Sequence, residues 1–506
     1  MAMLKKLQYR LFHPTINLGC ALLAGWLAAA PATAEVIIDD PFTDGARTNG
    51  ADPQDSSWSA GTVADDPVIG DGNALFRDVS GGFQNTTTNF SSITLDSARR
   101  EKLRVEFDLH ITEDPIPAAD DGFRFGLRNS SDGTQYHARF ATTAVDGTTS
   151  NVDLAKNGTG TFGGGSQIGL QNDANGSSLN DNDRHYARFT VQYTSAGRID
   201  LRGRIDTQVV AAADTGAGAA SINTTFNQGG FQNGSAAMDH AIDNYRITRW
   251  YNVIDDTFDV GSTPTLGNDG DDPNDNAWST ISSPSISLVN DDDITTGQIG
   301  SNNALLMETS GTFQKARTQF SDVVLKNNYS ISASFDFRIL DTVESPLEDA
   351  GGGFRFGLYD DGSGVSSDTG YFVTMGTGAN GGLTFIEDGS TGGDFLGGSG
   401  QETLGSVGSF NLDETLAHLA EMVITRVDAT TVSIELYIDG KFIGSTTDST
   451  ANNGEFTSSF GAFGISSGNS SNDFIIDNVV IDYMVPTPAA LPAGLILICG
   501  LAMRRR

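Results

Sequence analysis

The chain has 506 residues, enough for more than one domain, and is strongly acidic, with 64 Asp and Glu against 30 Lys and Arg and a net charge of −34. A field of that sign repels nucleic acid and anionic lipid, so no nucleic-acid partner is expected; it suits high salt, divalent cations or plain solubility. Only two cysteines occur, Cys20 and Cys499, each in a terminal apolar run, which excludes a disulfide framework or a thiolate metal site from the body of the chain.

The N-terminus reads as a signal peptide over residues 1–34. Lys5, Lys6 and Arg10 supply the basic part, Leu18 to Ala30 the apolar part, and Ala32-Thr33-Ala34 the small residues before a cut after Ala34. The Sec export machinery and signal peptidase are the partners this implies.

Beyond Glu35 the chain is rich in glycine, 60 in all, and in Asp, Asn, Ser and Thr, a composition of short strands joined by turns. Period-2 alternation predicts a strand at Val105–Ile111, with its apolar side chains on one face. Phe123, Phe125 and Leu127 share a face in the next. Ile331 to Ile339 repeats the first pattern, with Phe335 and Phe337 inward. Val432, Ile434, Leu436 and Ile438 lead into a turn at Asp439-Gly440.

The chain also repeats itself. Ile37-Ile38-Asp39-Asp40-Pro41-Phe42 matches Val253-Ile254-Asp255-Asp256-Thr257-Phe258, and Trp58-Ser59 matches Trp278-Ser279. Gly122-Phe123-Arg124-Phe125-Gly126-Leu127 matches Gly353-Phe354-Arg355-Phe356-Gly357-Leu358, and Ile242-Asp243-Asn244 matches Ile476-Asp477-Asn478. The order is kept throughout, which predicts two β-sandwich modules, 35–250 and 251–484, with no Pro/Gly linker at the join.

The opening D-D-x-F with a downstream Trp, the G-F-R-F-G-L strand and the closing I-D-N resemble the concanavalin A-like (laminin-G-like) jelly roll. The resemblance implies an all-β fold of two tandem jelly-roll β-sandwiches and a structural, adhesive or glycan-binding role. It also implies a possible structural calcium ion between the first and last strands of each module, held by Asp39, Asp40 and Asp243 and by Asp255, Asp256 and Asp477. Hard cations take several oxygen ligands, which carboxylates supply; carboxylates that cap turns or face water are the alternative. Asp108 with Arg124, and Asp336 with Arg355, point away from the apolar faces. They are expected as cross-strand ion pairs or as ligands for sugar hydroxyls, with Tyr136 and Tyr371 as candidate stacking platforms.

The chain ends in Val485-Pro486-Thr487-Pro488, an apolar stretch from Ala489 to Met503, and Arg504-Arg505-Arg506. This order resembles the PEP-CTERM sorting signal over residues 485–506, with Thr487 where that family usually has Glu. The resemblance implies recognition by an exosortase. The apolar stretch, as a short transmembrane sorting helix, is below the roughly 20 residues that span a bilayer comfortably, so the anchor is transient or permanent.

Catalysis finds little support. The nearest approach to the E-x-D-x-x-E strand of jelly-roll glucanases is Glu106-Phe107-Asp108, which lacks the third carboxylate and has Ser334 in place of Glu106 in the second module. The sequence therefore predicts a non-enzymatic protein of the cell envelope, outer surface or extracellular matrix, structural or adhesive. A calcium-dependent lectin-like protein is the alternative, and polysaccharide or other envelope proteins are the expected partners.

Overall fold

The computed structural model of the chain describes residues 36–48, 56–69, 72–78, 84–112, 123–140, 150–157, 161–162, 166–173, 183–206, 208–216, 222–233, 239–258, 276–280, 286–290, 303–307, 315–340, 354–360, 368–376, 382–389, 396, 401–408, 417–449, 456–466 and 473–484. The expected signal peptide (residues 1–34, Ala34 included) and sorting tail (Val485, Pro486, Thr487, Pro488, Arg504, Arg505 and Arg506 among them) lie outside these residues. Among the described residues no helix is long and apolar enough to cross a membrane.

The first repeat supplies β1 (Val36–Asp40), β2 (Thr62–Asp65), β3 (Asn73–Arg77), β4 (Gln84–Thr94), β5 (Glu101–Ile111), β6 (Phe123–Arg128), β7 (Gln135–Phe140), β8 (Ser150–Lys156), β9 (Ser166–Asp173), β10 (His185–Ser195), β11 (Arg198–Ile205), β12 (Gln208–Asp214) and β13 (Thr225–Asn233). A long strand, β14 (His240–Asp256), crosses the join. The second repeat supplies β15 (Trp278–Thr280), β16 (Ser287–Asn290), β17 (Asn303–Met307), β18 (Lys315–Val324), β19 (Ser330–Leu340), β20 (Phe354–Tyr359), β21 (Gly370–Met375), β22 (Leu383–Asp388), β23 (Gln401–Val407), β24 (His418–Arg426), β25 (Thr431–Ile438), β26 (Lys441–Ser449), β27 (Ser459–Ser466) and β28 (Asp473–Met484). One 3-10 turn, Ser97–Arg99, interrupts the strands.

Each repeat makes a two-layer sandwich. In the first, β4-β13-β6-β7-β8-β9 covers one side of a core built on Phe107, Phe123, Phe125, Phe189 and Ile247. In the second, β15-β18-β27-β20-β21-β22-β23 covers a core built on Phe335, Phe337, Phe354, Phe356 and Ile254. The opposite layers of the two sandwiches form one continuous sheet, ordered β12-β11-β10-β5-β14-β28-β19-β24-β25-β26.

The join is strand β14 itself. Its first part pairs with β1 and β5 and sends Ile242, Tyr245 and Ile247 into the first core. Its last part pairs antiparallel with β28, from Tyr251↔Tyr483 to Asp256↔Val479, and sends Ile254 into the second core. A register shift between Asn252 and Ile254 lets one strand change cores, because an extra residue turns the side-chain alternation over. β14 is thus the last strand of one sandwich and the first of the next.

The repeated glycine of the F-G-L strand has a steric cause. A Cβ on Gly126 would lie 2.1 Å from the Tyr136 carbonyl oxygen, and one on Gly357 would lie 2.3 Å from that of Tyr371. Only glycine lets β6 and β20 pair so closely with β7 and β21.

Candidate functional site

The D-D-x-F…W repeat is a buried staple. The Asp40 carboxylate accepts from the Trp58 indole N–H at 2.8 Å and from the Phe42 amide at 3.2 Å. In the second module Asp256 accepts from Trp278 at 2.7 Å and from the Phe258 amide at 3.0 Å. Phe42 and Phe258 take the left-handed conformation (φ 54° and 53°), which turns each ring onto its tryptophan, with ring centres 6.0 Å and 5.7 Å apart. The closing I-D-N is a β-bulge. Asn244 and Asn478 stand at φ 52°, accompanied by breaks in register against β5 and β19. Their side-chain amides reach across to Asp108 at 2.8 Å and to Asp336 at 2.9 Å.

These contacts give the expected calcium ligands partners within the protein. Asp40 and Asp256 are committed to tryptophan and backbone donors. Asp39 is held by both ends of the Arg246 guanidinium at 3.2 Å, and Asp243 and Asp477 accept from the backbone amides of Asn244 and Asn478 at 2.7 Å and 2.6 Å. Asp255 points away from Asp256 along the strand, towards Arg202 at 3.6 Å. Among the described residues no group of three or more carboxylate, histidine or cysteine side chains is placed to hold a metal ion.

The expected Asp–Arg pairs are corrected. Alternation placed Asp108 and Arg124 off the apolar face correctly, but β5 and β6 belong to opposite layers, so the two point to opposite sides of the sandwich. The same holds for Asp336 on β19 and Arg355 on β20. Arg124 donates to the Gln232 side chain at 2.8 Å, and Arg355 donates to the Leu396 carbonyl at 2.9 Å. Asp108 pairs with Arg184 at 2.6 Å, and burial still pushes its carboxyl above the usual range. Tyr136 and Tyr371 offer no platform, since both are fully buried. Each donates its hydroxyl to a carboxylate of the opposite layer, Asp214 at 2.5 Å and Asp448 at 2.7 Å. Each also accepts a backbone amide, from Asn223 or Thr457.

The polar faces of the two sandwiches meet each other. Arg104 on β5 donates to Glu421 on β24 at 2.8 Å and to Asp482 on β28 at 2.7 Å. Arg188 on β10 reaches Glu421 at 2.5 Å, the Lys102 ammonium lies 2.7 Å from Asp482, and Arg204 on β11 grips Asp336. Five strand spacings separate β11 from β19, about 24 Å in a flat sheet. The contact therefore requires the joint sheet to fold over at the β14–β28 seam. Trp250 lies in the fold, with the Arg104 guanidinium 5.0 Å over its ring. The Asp439-Gly440 turn presses onto Tyr186, whose ring a Cβ on Gly440 would meet at 2.2 Å.

In these contacts the first module supplies the cations and the second the carboxylates. Burial pushes the Glu421 carboxyl up, but Arg188 and Arg104 outweigh it and hold it down to about 2. Sequence reading missed this network, because alternating charges on a strand face look the same whether they meet water or another sheet.

Between the facing sheets runs a cleft of about 330 Å³. Lys102, Arg198, Arg202, Thr190 and Gln192 line it from the first module, Asp255 and Thr257 from the second, and Ala211 and Ala213 leave it open on the β12 side. Gln192 Nε2, Asp200 Oδ2 and Asp255 Oδ1 are buried there without a hydrogen-bond partner among the described residues. Burial pushes the Asp255 carboxyl up, against the pull of Arg202 and Lys102.

No protein-family model matches the chain, and no curated protein is detectably similar to it. Among solved structures, the potassium-bound carbohydrate recognition domain of Emp46p is similar at 14% identity and TM-score 0.28, covering 42% of this chain and 89% of its own. Peanut lectin with a 9mer peptide is similar at 13% identity and TM-score 0.26, covering 42% of this chain and 100% of its own. The carbohydrate-binding module CBM66 of Bacillus subtilis is similar at 12% identity and TM-score 0.25, covering 40% and 92%.

Proposed function

We propose that this is a non-catalytic, exported protein of the bacterial cell envelope or matrix, in which the two sandwiches act as one stiff structural or adhesive unit sorted through its C-terminal tail. The observation that carries the reading is the buried charge contact between the sandwiches. It occupies the outward sheet faces of both modules, and a continuous strand leaves no hinge at the join. A buried ion-pair network contributes less to net stability than to fixing one arrangement over others, as a rigid spacer requires. The carboxylates nearest a glycanase pattern are engaged within the protein: Glu106 by Tyr186 and Arg188, Asp108 by Arg184 and Asn244.

Mass spectrometry of the cell-surface fraction tests the reading. The expected product begins at Glu35 and has lost Arg504–Arg506. A chain ending at residue 484 should escape the surface into the medium. A surface form that keeps Arg506, or an internal pool that keeps residues 1–34, contradicts the sorting route.

A further inference from the structure

We propose that the cleft between the two sandwiches is a binding site for a neutral, polyhydroxylated ligand, one or two sugar residues in size, that needs no metal ion. Three observations on the cleft carry this.

The first is hydrogen-bond demand. Among the described residues, Gln192, 3% exposed and lining the cleft, has an amide donor with no hydrogen-bond partner, and Asp200 Oδ2 and Asp255 Oδ1 are buried without a hydrogen bond, the Arg202 guanidinium standing 3.6 Å from the latter. An unmet buried polar group costs about 1–3 kcal/mol, so an apolar occupant is disfavoured. A hydroxyl group donates and accepts at once, and two or three of them on one scaffold satisfy this set.

The second is charge. Six cations line the cleft: Lys102, Arg104, Arg188, Arg198, Arg202 and Arg204. Six carboxylates meet them: Glu106, Asp200, Asp255, Asp336, Glu421 and Asp482. Each cation already has a carboxylate partner, and Asp200 and Asp255, which line the cleft themselves, would face a bare anion directly.

The third is shape. A volume of about 330 Å³ is at the small end of small-molecule sites. Ala211, exposed on β12 opposite Arg202, keeps one wall low. The proposal goes beyond the structural reading, and a cleft that binds nothing would leave that reading standing.

Titration calorimetry of the full chain, in EDTA, tests it. The probes are neutral di- and trisaccharides of hexoses and N-acetylhexosamines, with a galacturonate trisaccharide as the charged arm. At least one neutral probe should bind. Gln192→Leu should weaken it by roughly tenfold, the loss of one buried hydrogen bond. Ala211→Phe, which fills the cleft from an exposed position, should abolish the heat while the melting temperature stays unchanged. Binding that survives both substitutions, binding only of the galacturonate, or no heat with any probe overturns the proposal.

Discussion

Arg104 and Glu421, 317 residues apart in sequence, meet at 2.8 Å in the buried contact between the two sandwiches. Glu421 is shared, since Arg188 takes its other oxygen. Removing it leaves two buried guanidinium groups each one carboxylate short, Arg104 keeping Asp482 and Arg188 keeping Glu106. Glu421→Ala should cost roughly 3–5 kcal/mol, the cost of breaking a buried pair from one side. Urea denaturation measures it. A loss below about 1 kcal/mol would match a solvent-screened surface pair and not this contact.

The same carboxylate gives a pH dependence of definite sign. Its folded pKa, about 2, lies below the ordinary value of 4.5. Its contribution is therefore complete above about 4.5 and is lost as the pH falls towards 2. The melting temperature of the wild type should drop across that window more steeply than that of Glu421→Gln, which has no proton to gain. Parallel curves would show that Glu421 does not carry the acid sensitivity.

The Asp–Trp staples predict a result for metal removal. Asp40→Ala and Asp256→Ala each leave a buried indole N–H without its acceptor and should cost about 1–3 kcal/mol. EDTA should leave the melting temperature of the wild type unchanged, because these carboxylates already have protein donors. A fall in the midpoint on chelation, restored by calcium, would return them to a metal site.

Gly440 tests the docking of the modules directly. It combines a φ of 69° with a ring 2.2 Å from where a Cβ would lie, whereas Gly197, at φ 89°, has open space around it. Gly197→Ala should cost only turn strain, about 1–2 kcal/mol. Gly440→Leu should cost more and shift tryptophan emission to the red, because Trp250 lies at the seam while Trp58 and Trp278 belong to the two cores. Equal effects of the two substitutions would remove the clash from the account.

Much of the fold was legible in the sequence because β periodicity and an internal repeat are local signals. Phe335 and Phe337 face inward as read, and Asp439-Gly440 is a turn with both residues at positive φ. What alternation cannot tell is which layer a strand joins, and so Asp108 and Arg124 were matched across a sandwich that separates them. Nor can it tell which polar face is covered. Tyr136 passed for an exposed platform because its acceptor, Asp214, stands 78 residues on. The repeat held a usable clue: Tyr371 and Asp448 keep nearly the same spacing, 77 residues. His185 with Asp206 and His418 with Asp439 both keep 21. Equal spacing of complementary side chains in two copies marks a contact even where neither copy alone does.

The central claim is that one shared strand and one buried charge contact make two sandwiches into a single body. Differential scanning calorimetry of the full chain tests it most directly. A single transition, with calorimetric and van't Hoff enthalpies in agreement, is the predicted result. Two resolved transitions, each with about half the enthalpy, would show that the sandwiches unfold independently and would contradict it.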